Sequence, residues 1–162
     1  MKEKTLNTVT ILLSIVLLVA SLTQSAYCTR GCTTGCIALL FGPFGVLMEV
    51  GKLLSYVLET FVGKTTEYKP PAGAMFVWLA NPIWLAAVMF FIINKKASLI
   101  LSATSLLIML SFLACSRILS DEAGNYTAIT AMGPGYWLWV LSAAVLVIAS
   151  IAGIQLYKHN TD

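Results

Sequence analysis

The chain has 162 residues, 59% of them hydrophobic and only 10% charged, with a net charge of +3 at pH 7. A soluble domain carries roughly 25% charged residues, so this chain has too little polar surface to cover a water-soluble globule, and lipid must be its solvent for much of its length. No basic run is interleaved with aromatics, which leaves nucleic acid out as a partner.

The apolar runs predict an all-α integral membrane protein, a single membrane domain over 1–162. It is expected to have four transmembrane helices and an amphipathic interfacial (or re-entrant) helix in the first extracytoplasmic segment. The first span, about 8–27, follows the basic flank MKEKTLNTV. A secretory signal peptide begins the same way. The cleavage region Ser21–Ala26 is poor, because Gln24 stands where a small residue is wanted. An uncleaved span is therefore expected. Ser14, Ser21 and Ser25 fall on one side of it, as a packing stripe for a neighbouring helix.

The segment 28–71 has two parts. Cys28, Cys32 and Cys36 sit in a tandem Cys-Thr-x-Gly pattern whose glycines argue against a rigid helix. Gly42-Pro43 predicts a break. From Val46 to Phe61 the period is helical, with Val46, Val50, Leu53, Leu54, Val57, Leu58 and Phe61 on a broad apolar face and Glu49, Lys52, Ser55 and Glu59 in a polar stripe opposite. Such a helix lies in the interface. As a fifth span it would place Glu49, Lys52 and Glu59 in hydrocarbon, at about 2.5–3.5 kcal/mol each on insertion scales. Pro70-Pro71 stiffens the connection that follows.

The second span, about 72–93, contains Asn81-Pro82. The proline leaves the carbonyl of Trp78 without a helical donor, so a kink is expected, and Asn81 is placed to bond a neighbouring helix or that loosened backbone. The third, about 97–119, carries Ser98, Ser102 and Ser105 on one side, suited to interhelical or i−4 hydrogen bonds. Arg117 and Asp121 are spaced to pair at its exit. The second extracytoplasmic segment, 120–135, holds Asp121-Glu122, the triplet Asn125-Tyr126-Thr127 and the turn Gly133-Pro134-Gly135. The fourth span, about 136–157, opens on Tyr136, Trp137 and Trp139 and carries the close-contact pair Ala149 and Gly153.

Lys2, Lys4, Lys95, Lys96 and Lys158 are crowded at span ends on one side, which predicts cytoplasmic termini in a cell membrane. All four cysteines then face the compartment where disulfides persist. Cys28, Cys32, Cys36 and Cys115 are the disulfide candidates, with a staple from the loop to Cys115 and one bridge within the triplet as one of the pairings. A zinc site is disfavoured, since His159 lies on the opposite side. The plan is similar to that of small four-span redox proteins that exchange electrons with quinone, but their Cys-x-x-Cys is absent here. No hydrolase or metalloprotease motif appears, and no cofactor is expected. The expected role is binding, as an accessory subunit or partner-recognition protein, with the lipid bilayer and a membrane or extracytoplasmic protein (or a second copy) as partners. An extracytoplasmic thiol-disulfide oxidoreductase-like protein and a subunit of a small transporter or channel are the alternatives.

Overall fold

The computed structural model describes the backbone of residues 2–63, 73–120 and 125–159. Five helices, two small antiparallel sheets and two short 3-10 turns make up these residues. The Pro70-Pro71 connection, Asp121, Glu122 and the side chains of Lys2, Lys4, Lys158 and His159 lie outside the described residues. Five helical segments among those described are long and apolar enough to cross a membrane, as expected of a membrane-embedded chain.

Helix α1 (Lys2–Thr23) leads into strands β1 (Ser25–Cys28) and β2 (Cys32–Thr34), and α2 (Gly35–Phe61) follows at once. A 3-10 turn (Ala74–Leu79) runs into α3 (Ala80–Ile93), and α4 (Lys95–Ser111) returns after a single residue, Asn94. That residue caps α4 by accepting from the N–H groups of Lys96 and Ala97. A second 3-10 turn (Phe112–Ala114) leads to β3 (Arg117–Leu119), β4 (Tyr126–Ala128), β5 (Ala131–Met132) and finally α5 (Pro134–His159).

Helices α1, α3, α4 and α5 form an antiparallel bundle. Helix α5 packs on both α1 and α4, and α4 packs on α3. The contacts are small and polar. Ser14 Oγ donates to the Ser142 carbonyl at 2.7 Å, tying α1 to α5. Ser98 and Ser105 of α4 donate to the Ala87 and Ala80 carbonyls of α3, each at 2.9 Å. Ser150 Oγ of α5 donates to Ser98 Oγ at 3.3 Å. All these serines are fully buried. Small side chains let the backbones approach, and each interhelical hydrogen bond in a membrane is worth about 0.6 kcal/mol. Larger side chains, Phe91, Met109 and Leu146, fill what remains of the interior.

The two ends of the bundle differ. At one end lie Asn94 and the start of α1, where Lys95 Nζ donates to Asn7 Oδ1 at 2.7 Å and sits over the Phe91 ring. At the other end lie all five strands. Strand β1 is central, paired with β2 through Cys28↔Cys32 and with β5 through Tyr27↔Met132. Strands β3 and β4 form a separate hairpin.

Two expectations are corrected here. The first helix ends at Thr23 and not near 27, because the chain turns at Ser25 into the β1–β2 hairpin that carries Cys28 and Cys32, while Cys36 already belongs to α2. The Gly42-Pro43 pair does not break α2, which is continuous from Gly35 to Phe61. Its end is marked by Gly63, which takes the left-handed conformation (φ 72°).

Candidate functional site

The strand-bearing end gathers most of the residues the sequence singles out. Proline at 43 cannot donate to the carbonyl of Leu39, four residues back. Trp78 Nε1 donates to that carbonyl instead, at 2.9 Å. This explains why the helix survives its proline. Gly42 makes room for the donor, since a Cβ there would collide with the Trp78 indole. The same substitution recurs one step away. Pro82 leaves the Trp78 carbonyl without its helical donor, and Asn81 Nδ2 donates to it at 3.0 Å. Asn81 Oδ1 in turn accepts from Trp139 Nε1 at 2.9 Å. A hydrogen-bond chain, Trp139–Asn81–Trp78–Leu39, thus runs from α5 through the start of α3 to α2.

This chain borders a cavity of about 210 Å³ between α2 and the bundle. On the α2 side the lining mixes small residues, Gly35, Ala38 and Gly42, with the larger Ile37, Leu39 and Phe41. The facing walls are aromatic, with Tyr27, Phe112, Tyr136 and Trp139. Tyr27 meets Phe112 edge-on at 5.8 Å, and Phe112 meets Tyr136 at 5.9 Å. Burial pushes the Tyr27 hydroxyl above its ordinary range, and a hydrogen bond with the Thr33 side chain partly offsets this.

Further along α2, Glu49 is fully buried. Its Oε1 accepts from the Tyr126 hydroxyl at 3.1 Å, while Oε2 makes no hydrogen bond. Lys52 Nζ lies 4.4 Å and the Arg117 guanidinium 5.3 Å from the centre of the Tyr126 ring. One tyrosine of β4 therefore holds the β3–β4 hairpin against α2. The polar stripe divides accordingly: Glu49 turns to the protein, Lys52 and Glu59 are partly covered, and the opposite face with Phe41, Phe44, Leu47, Leu54 and Phe61 is exposed.

Of the disulfide candidates, Cys28 and Cys32 are bonded across the β1–β2 register, and Cys36 and Cys115 are free thiols. The staple from the triplet to Cys115 is not formed. The bridge closes locally because β1 and β2 bring Cys28 and Cys32 face to face, while Cys115 packs against the core with its thiol directed at the Ser111 carbonyl. Burial pushes the Cys115 thiol up, and the Glu49 carboxylate pushes it the same way. Among the described residues no three His, Cys, Asp or Glu side chains converge to hold a metal. The buried Glu49–Tyr126 contact and the cavity were not read from the sequence; the proline at 43, facing a tryptophan that needs an acceptor, was the one available signal. Comparison with protein-family models, curated proteins and solved structures finds no match for the chain.

Proposed function

We propose that this is a four-span membrane protein that binds a membrane or extracytoplasmic protein partner through its strand-bearing end. Helix α2 lies in the plane of the membrane there, and both termini are cytoplasmic. The observation that carries the reading is the concentration of everything outside the four-helix bundle at one end: both hairpins, the disulfide and α2. The in-plane placement rests on where α2 finds its neighbours. Gly35 abuts the last turn of α1 at Ser21 and Leu22, Gly42 meets Trp78, Gly45 meets Met75, and Glu49 meets Tyr126. All of these lie at the strand-bearing end. The chain length agrees. A crossing α2 would leave only residues 62–73 to return to Ala74. A dozen residues make about 18 Å of helix, short of the ~30 Å hydrocarbon core, and an extended return would leave backbone groups unpaired in lipid. Lys95 and Lys96 at the opposite end favour a cytoplasmic assignment for it.

The experiment is photo-crosslinking from single positions on this face, Thr130 and Leu54, in intact cells. A discrete protein adduct is expected, and adducts to lipid alone would defeat the partner reading. Impermeant thiol labelling of Ser55→Cys in a background without Cys36 and Cys115 tests the placement of α2. Labelling from outside is expected; labelling only after permeabilisation would mean that α2 crosses.

A second reading is thiol–disulfide exchange, favoured by one observation: the exposed Cys36 thiol lies four residues beyond the Cys28–Cys32 bridge. Trapping of a mixed disulfide with another protein in Cys32→Ser, and its loss in Cys32→Ser/Cys36→Ser, would select it.

A further inference from the structure

The cavity beneath α2 has no part in the readings above. We propose that it is a binding slot for a single hydrocarbon chain, supplied by an acyl lipid of the surrounding membrane. The inference rests on the membrane setting of the bundle and holds whether or not a protein binds the same end.

Size and chemistry both point this way. At about 210 Å³ the cavity exceeds the ~150 Å³ apolar cavities that stay dry and admit a benzene-sized molecule. Its lining is dominated by aliphatic and aromatic side chains. The polar groups that reach it are already spent on the protein. Ser21 Oγ donates to the Leu18 carbonyl, Trp78 Nε1 to Leu39, Trp139 Nε1 to Asn81 and the Tyr136 hydroxyl to the Met109 carbonyl. Among the described residues, the buried side-chain polar atoms left without a partner, Glu49 Oε2 and Trp84 Nε1, belong to residues that do not line it. A water molecule needs two to four polar partners to be held, and the donors of Ser21, Trp78, Trp139 and Tyr136 are already committed within the protein. A hydrocarbon chain needs none.

The void is also held open. Collapse of α2 onto the bundle would be the ordinary fate of such a gap. The Trp78–Leu39 hydrogen bond and the fit of the Trp78 indole against Gly42 set the helix at a fixed height. Ile37 and Phe41 line the cavity and are exposed on its outer side, so its rim is continuous with the apolar face of α2. A chain enters from lipid without crossing polar surface.

The test uses the full chain purified from membranes in detergent and examined by native mass spectrometry. Wild-type protein is expected to retain one acyl lipid. Ala38→Phe, which fills the slot, is expected to lower retention at least tenfold, and Leu47→Ala on the exposed face to leave it unchanged. A retained mass of a phospholipid or of a free fatty acid identifies the source. Equal retention in wild type and folded Ala38→Phe overturns the proposal. Should Ala38→Phe fail to fold, a second measurement decides. The Trp137→Phe protein, which keeps Trp78 and Trp139 at the cavity, is equilibrated with vesicles of phosphatidylcholine brominated on the acyl chain and then moved to detergent. Quenching of tryptophan fluorescence that persists after transfer supports the slot. Complete recovery of fluorescence overturns it.

Discussion

Pro43 and Pro82 each delete one helical donor, and a side chain replaces it in both cases, the remote Trp78 for Pro43 and the adjacent Asn81 for Pro82. The exchange makes Trp78 a joint: its indole serves α2 while its own carbonyl is served by Asn81. Trp78→Phe should leave the Leu39 carbonyl unsatisfied and destabilise the protein by about 1–3 kcal/mol. Pro43→Ala restores a backbone donor to that same carbonyl. It should therefore recover most of the loss when combined with Trp78→Phe, which thermal unfolding of the four variants in one detergent would check. Cys115 gives a second prediction at this scale. Its raised thiol pKa keeps it protonated and unreactive at neutral pH. Maleimide labelling of the native protein should be slow and should accelerate with alkaline pH. Glu49→Gln, which removes the nearby negative charge, should move that acceleration to lower pH. The sign for stability follows: with the folded pKa above the unfolded one, the contribution is complete below the ordinary thiol range and is lost as pH rises through the raised value.

At the scale of the element, α2 is pinned at four points: at Gly35 against α1, at Gly42 against Trp78, at Gly45 against Met75, and at Glu49 against Tyr126. Tyr126→Phe keeps the ring between Lys52 and Arg117 but removes the hydroxyl from a buried carboxylate. It should cost about 1–3 kcal/mol and loosen the β3–β4 hairpin first, seen as faster hydrogen exchange at Ile118 and Tyr126. Glu49→Gln should reduce that cost in a double-mutant cycle. Helical periodicity made much of α2 legible. The spacing of Glu49, Lys52 and Glu59 marks a polar stripe, and the apolar face opposite it is the exposed one. Periodicity says nothing of what covers a stripe, and here the cover comes from residue 126, far along the chain. The expected break at Gly42-Pro43 failed for the same reason: the replacing donor is remote. The strands were illegible because each is only two to four residues long, too short for an alternating pattern. The Ser, Thr and Cys of β1 and β2 read equally well as loop.

At the scale of the whole molecule, the serines of α1 and α4 were legible because a 3.6-residue repeat shows which of them share a face. Ser14, Ser98 and Ser105 donate to backbone carbonyls of neighbouring helices, while Ser21 and Ser102 donate within their own helix, and composition does not separate the two groups. Ser98 lies at the meeting of three helices, donating to α3 and accepting from α5. Ser98→Ala should cost about 0.6–2 kcal/mol, whereas Ser98→Leu should separate the helices and cost more, as overpacking does. Comparison of their melting temperatures would check the order.

The pairing of β1 with β5 joins the exit of the first membrane helix to the entrance of the last. During synthesis the edge of β1 and the polar face around Ser14 have to wait for the final fifth of the chain. Until α5 is in place, β1 lacks its β5 partner and Ser14 lacks the Ser142 carbonyl that accepts its hydrogen bond. A ribosome stalled before residue 131 should yield a product degraded as a whole, with no stable remnant of α1 to α4.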